Sequence, residues 1–91
     1  MTALVMRTYG PRCHLCLRGI RLDLPRRHPD GPSADHLIAR KYGGTNDLSN
    51  LRPAHTRCNS RRGARPLTAD LLASFRRRPE PETGGPFFRD G

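Results

Sequence analysis

Apolar positions are sparse along this chain and fall in short clusters parted by turn-forming residues. Thr2–Tyr9 carries Ala3, Leu4, Val5 and Met6 and predicts one or two helical turns, stopped by Gly10-Pro11. Leu15, Leu17 and Ile20 lie in and just after a Cys-rich turn, which predicts a knuckle running into a short strand. Residues 21–32 hold three prolines and a glycine and predict a loop. Residues 33–39, with Leu37 and Ile38, predict a second strand. Residues 41–50 are rich in Gly, Asn, Ser and Asp, which tolerate positive φ or bond their own backbone, so a loop is expected. From His55 to Arg65 the composition suits a short basic helix, with Gly63 its weak point and Pro66 its end. Thr68 is placed to cap a helix over residues 69–78, with Asp70 in its first turn. Its Leu71, Leu72 and Phe75 form one apolar stripe, and arginines close it at the end favoured by the helix dipole. Residues 79–91 have no periodicity and are expected to be disordered.

Composition explains why these clusters need help. Of 91 residues, 34% are hydrophobic and 5% aromatic, which allows one small domain with a marginal core, expected over residues 1–78. Such a chain calls for a staple. Three cysteines cannot all pair within one chain, and no charged leader precedes an apolar stretch of export-signal length. The expected compartment is therefore reducing, a cytoplasm (a host cell's if the gene is a phage's), where thiols more often bind metal. The apolar run at residues 2–6 is far too short to cross a membrane, so no membrane partner is expected. Seventeen Lys+Arg against eight Asp+Glu leave +9, a balance that suits a polyanion such as nucleic acid.

Cys13-x-x-Cys16 and His55-x-x-Cys58 repeat one ligand spacing at the two ends of the central region. Together they make a Cys₃His set, suited to a tetrahedral structural zinc that pins the start of the fold to its end. A lone Cys-x-x-Cys would also fit a redox pair. His14 and His28 are competing imidazoles; His14, between two cysteines, is expected to point away from the ion, and His28 to be solvated.

Between the zinc halves stand Asp35-His36, Gly43-Gly44 and Asn50-Leu51, and directly after Cys58 comes Asn59. In this order, as CHLC, ADHLIARKYGG, DLSNLRPAH and HTRCN, the chain resembles the zinc-stapled form of the HNH endonuclease family, over a motif core of residues 13–62. The resemblance implies an α+β class, specifically the small ββα-metal (HNH, or His-Me finger) fold with a zinc knuckle and flanking short helices. It implies His36 as general base, Asn50 holding the His36 ring through side chain or backbone, and Asp35 with Asn59 on a catalytic divalent ion. Magnesium or manganese is expected there, nickel being possible, because a carboxylate and an amide oxygen are hard ligands. The products expected from the family are 5′-phosphate and 3′-hydroxyl ends. Two features depart from the commonest family pattern: HxxC replaces a second CxxC, and Asn59 stands where the final His usually does. Adjacent strand residues point to opposite faces, so for Asp35 and His36 to share a site a bulge, strong twist or strand end is required between them.

Arg40 and Lys41 beside the catalytic segment, and Arg52, Arg57, Arg61, Arg62 and Arg65 around the metal helix, are the candidate phosphate contacts. Double-stranded DNA is the expected partner, cut or nicked with weak sequence specificity, and compact forms of the family beside phage packaging genes make packaging proteins possible partners. Two other readings stay open: a non-catalytic zinc-stapled nucleic-acid-binding module, and a toxin-type nuclease with an acidic immunity partner.

Overall fold

The computed structural model describes residues 1–77, and the tail expected to be disordered lies outside them. Three α-helices and two strands follow in order among the described residues: helix α1 (Thr2–Tyr9), strand β1 (Pro32–His36), strand β2 (Leu51–His55), helix α2 (Thr56–Arg62) and helix α3 (Ala69–Arg76), with short 3-10 turns at Arg40–Tyr42 and Leu48–Asn50 between the strands. The two strands pair antiparallel, with Asp35 opposite Arg52 and His36 opposite Leu51. The result is a small α+β fold in which a β-hairpin runs directly into α2.

The N-terminal helix forms as expected, with Val5 and Met6 as its buried face. At its end the Tyr9 hydroxyl donates to the Leu48 carbonyl (2.9 Å), and the Arg52 guanidinium stacks on the Tyr9 ring at 4.2 Å. Helix α1 thus braces the loop between the strands. Helix α3 starts where Thr68 predicts: its hydroxyl accepts from the Leu71 N–H at 3.1 Å. Phe75 is buried, and Leu71 and Leu72 pack beside it.

Three local outcomes differ from the sequence expectation. The knuckle strand is only an isolated bridge, Arg12 to Gly19, because the turn spends its backbone groups on itself. The strand expected at residues 33–39 ends at His36. Leu51–His55 is a strand instead of a lead-in to the helix, so His55 caps α2 and does not lie in its first turn. Pro53 hid this strand, since proline donates no ladder bond; in a two-stranded sheet its position, opposite Ala34, is tolerated. The Pro53 carbonyl is used instead by the His14 N–H, at 2.9 Å, which ties the knuckle to the hairpin.

The Pro-rich loop has a structural task. Helix α2 begins with unpaired N–H groups, as every helix does. The Thr56 N–H donates to the Gly31 carbonyl (3.0 Å) and the Arg57 N–H to the Pro29 carbonyl (2.8 Å). The Thr56 hydroxyl also donates to the Arg26 carbonyl, at 2.7 Å. The His55 side chain takes no part in this capping.

The core is as small as the composition implies. Its main cluster is Met6, Leu15, Ile20, Ala54 and Phe75, together with Cys13 and Cys58. Two of the cysteines are therefore part of the hydrophobic centre.

Candidate active site and zinc cluster

The four residues with matched spacing converge. Ligand atoms of Cys13, Cys16, His55 and Cys58 all lie within 4.8 Å of one another. His55 Nδ1 is 3.4 Å from Cys16 Sγ and 3.8 Å from Cys58 Sγ. A tetrahedral zinc with Zn–S near ~2.3 Å and Zn–N near ~2.0 Å implies N···S edges of about 3.5 Å, so the donor set fits the ion. The other ring nitrogen supports this: His55 Nε2–H donates to the Gly19 carbonyl at 3.0 Å, which leaves Nδ1 facing the thiols. Among the thiols themselves, the hydrogen bond from Cys58 holds Cys13 well below the usual thiol range. That same bond, with burial and the negative charge of its neighbours, pushes Cys58 up. An ion removes this competition by taking all three as thiolates. His14 points away from the cluster, as expected, and His28 is exposed.

A second site is a cleft lined by residues of β1, α2 and the loop after β1. An open cleft of about 280 Å³ is lined by Asp35, His36, Ala39, Arg40, Lys41, Asn59, Arg62, Gly63 and Ala64. It brings Asp35, His36 and Asn59 together, as the motif order requires. Asp35 and His36 are the last two residues of β1, and the chain bends at Leu37.

Asp35 is buried (3% exposed), and its hydrogen bonds fall on one oxygen. Oδ2 accepts from His14 Nε2 and from Arg62 Nη1, each at 2.8 Å. Asn59 uses its amide nitrogen, donating to the Ser33 hydroxyl (2.8 Å) and the Ala34 carbonyl (3.3 Å). Among the described residues, Asp35 Oδ1 and Asn59 Oδ1 are thus left without protein partners. Both are hard oxygen donors, the type that magnesium or manganese takes.

Asn50 does not touch the His36 ring. Its side chain closes the loop after it: Oδ1 accepts from the Ile38 N–H (2.9 Å), and Nδ2 donates to the carbonyls of Ile38 (3.1 Å) and Thr45 (2.8 Å). Its backbone carbonyl accepts from the Leu37 N–H at 2.8 Å. The ring is held by a residue the sequence reading missed, Asn46, whose Oδ1 accepts from His36 Nε2–H at 2.8 Å. One asparagine in a loop rich in such residues offers no sequence signal for this role. The glycine pair has a clear reason: Gly43 sits at φ +92°, and a Cβ on Gly44 would lie 1.7 Å from the Ile38 carbonyl oxygen.

The arginines divide. Arg40 and Lys41 are exposed at the cleft. Arg62 is a correction: expected among the phosphate contacts, it is 1% exposed and serves the interior. Its guanidinium pairs with Asp35 and donates to the carbonyls of His36, Leu37 and Arg65. Four other candidates have partners within the protein. Arg52 stacks on Tyr9, Arg61 stacks on Phe75, Arg57 pairs with Asp30, and Arg65 turns back to the carbonyls of Arg61 and Arg62.

A β-hairpin running into a helix, with a Cys₃His cluster that could hold a zinc, is a small fold of the ββα-metal type. A model of the HNH endonuclease family matches residues 13–65, more than half of the chain, and the protein belongs to that family. No curated protein and no solved structure matches it. Among the described residues, no helix is long and apolar enough to cross a membrane.

Proposed function

We propose that this protein is an endonuclease that hydrolyses phosphodiester bonds of double-stranded DNA, with weak sequence specificity, leaving 5′-phosphate and 3′-hydroxyl ends. The observation that carries this reading is the cleft itself, where His36 stands beside the free oxygens of Asp35 and Asn59.

His36 acts as the general base. With its Nε2–H donated to Asn46, the Nδ1 lone pair is the one available to accept a proton from water. Asp35 and Asn59 would hold one divalent ion, which supplies charge neutralisation at the leaving oxygen. Arg40 and Lys41 bind the flanking phosphates at the cleft mouth. Asn50 holds the loop that carries His36 and the Gly-Gly turn in one conformation. A zinc held by Cys13, Cys16, His55 and Cys58 would keep the hairpin, knuckle and α2 in register and would take no part in the chemistry.

One observation favours a different class, a non-catalytic nucleic-acid-binding module: the Asp35 charge is already met by Arg62. Supercoiled-plasmid cleavage by the zinc-loaded protein separates the two, run with Mg²⁺, Mn²⁺ or Ni²⁺, without added ion, and with His36→Ala beside the wild type. Metal-dependent nicking or linearisation that falls by about 10²–10⁴-fold in His36→Ala supports the nuclease. Equal inertness of both proteins, each folded and each retarding the plasmid on a gel, supports the module.

A further inference from the structure

His14 sits inside the zinc knuckle, between Cys13 and Cys16, yet its ring leaves the zinc cluster and donates from Nε2 to Asp35 Oδ2 at 2.8 Å. It is not among the residues that line the cleft. Arg62 takes the same oxygen at 2.8 Å. A carboxylate held by two donors on Oδ2 cannot rotate freely, and its Oδ1 keeps one direction. From this geometry we infer that His14 is a positioning residue for the catalytic-ion site, through which the zinc knuckle sets the orientation of the Asp35 carboxylate. The inference rests on the reading of Asp35 as an ion ligand.

The linkage is rigid at both ends. The His14 backbone is fixed by its N–H on the Pro53 carbonyl (2.9 Å) and by its own carbonyl, which accepts from Arg76 Nη2 (2.8 Å). Its Nε2 then has one place to go. These backbone bonds do not depend on the imidazole, so shortening the side chain removes the contact to Asp35 without releasing the knuckle. Partners of metal ligands that hold them in orientation typically cost 10–100-fold in metal affinity when removed.

The test measures Mn²⁺ binding to the zinc-loaded, DNA-free protein by electron paramagnetic resonance of free Mn²⁺. Zinc content per chain and thermal unfolding are measured on the same samples. Wild type, His14→Ala and His14→Gln are compared; glutamine places an amide donor near the position of His Nε2. The expected result is one zinc per chain in all three, Mn²⁺ affinity about 10–100-fold weaker in His14→Ala, and most of that loss recovered in His14→Gln. Wild-type Mn²⁺ affinity in His14→Ala overturns the inference. So does a loss that comes with lost zinc, or one that His14→Gln leaves unrepaired, since either makes His14 a structural part of the knuckle. Absence of Mn²⁺ binding in the wild type is a different failure, because it removes the ion-ligand reading of Asp35 and this inference with it.

Discussion

Arg62 Nη1 lies 2.8 Å from Asp35 Oδ2, with both side chains almost wholly removed from water. The arginine comes from the last residue of α2, and the aspartate from the strand position next to His36, the proposed base. One buried cation therefore joins the end of α2 to strand β1. It also donates to the carbonyls of His36, Leu37 and Arg65, so all three guanidinium nitrogens are used.

Removing that cation leaves a buried carboxylate and three carbonyls short of donors. Arg62→Ala is expected to cost about 3–5 kcal/mol, enough to unfold a domain with so small a core. Arg62→Lys keeps the charge and loses the fork, so a smaller loss is expected. Urea unfolding of the zinc-loaded proteins, followed by circular dichroism, measures both.

Zinc removal is expected to unfold the chain, because Cys13 and Cys58 belong to the core and the cluster joins knuckle, hairpin and helix. A strong chelator should abolish the helical circular dichroism signal, and added Zn²⁺ should restore it. The pH dependence has a definite sign. The ligands must shed protons to bind, and in the ion-free cluster Cys58 is pushed up. Zinc affinity should therefore fall as pH falls, which a competing chromophoric chelator measures at several pH values.

Asn46 holds the proton-bearing nitrogen of the proposed base. Asn46→Ala leaves Nε2 to water, and kcat for plasmid nicking should fall by roughly 10-fold, with KM little changed and with stability preserved because the site is exposed. An effect equal to that of His36→Ala would be too large for an orienting contact. Single-turnover cleavage kinetics distinguish the two.

Two glycines make a controlled pair. Gly44→Ala drives a Cβ to 1.7 Å from the Ile38 carbonyl oxygen, which Asn50 helps hold, and 3.0 Å from that of Ala39, both backbone atoms. The expected loss is about 1–3 kcal/mol, with cleavage reduced. Gly19→Ala meets nothing within 4 Å and should leave melting temperature and cleavage close to wild type. Differential scanning fluorimetry of both variants checks the contrast.

Much of this protein is determined locally and can be read from the chain alone. The two zinc half-sites show because metal ligands need fixed short spacings. The N-cap at Thr68 and the apolar stripe of α3 show because helix signals are confined to a few neighbouring residues. The order Asp35-His36, Gly43-Gly44, Asn50 and Asn59 carries the family, and with it the ββα hairpin. Only the tertiary structure decided what depends on residues far apart in sequence. Strand β2 exists because β1 pairs with it across a long loop, and Pro53 masks it locally. Arg62 reads as one more surface cation until Asp35, 27 positions away, is seen to bury it. His14 and Asn46 gain their tasks only from where the fold sets Asp35 and His36. A side chain's charge and reach are written in its type, but its partner is chosen by packing, which no local window contains.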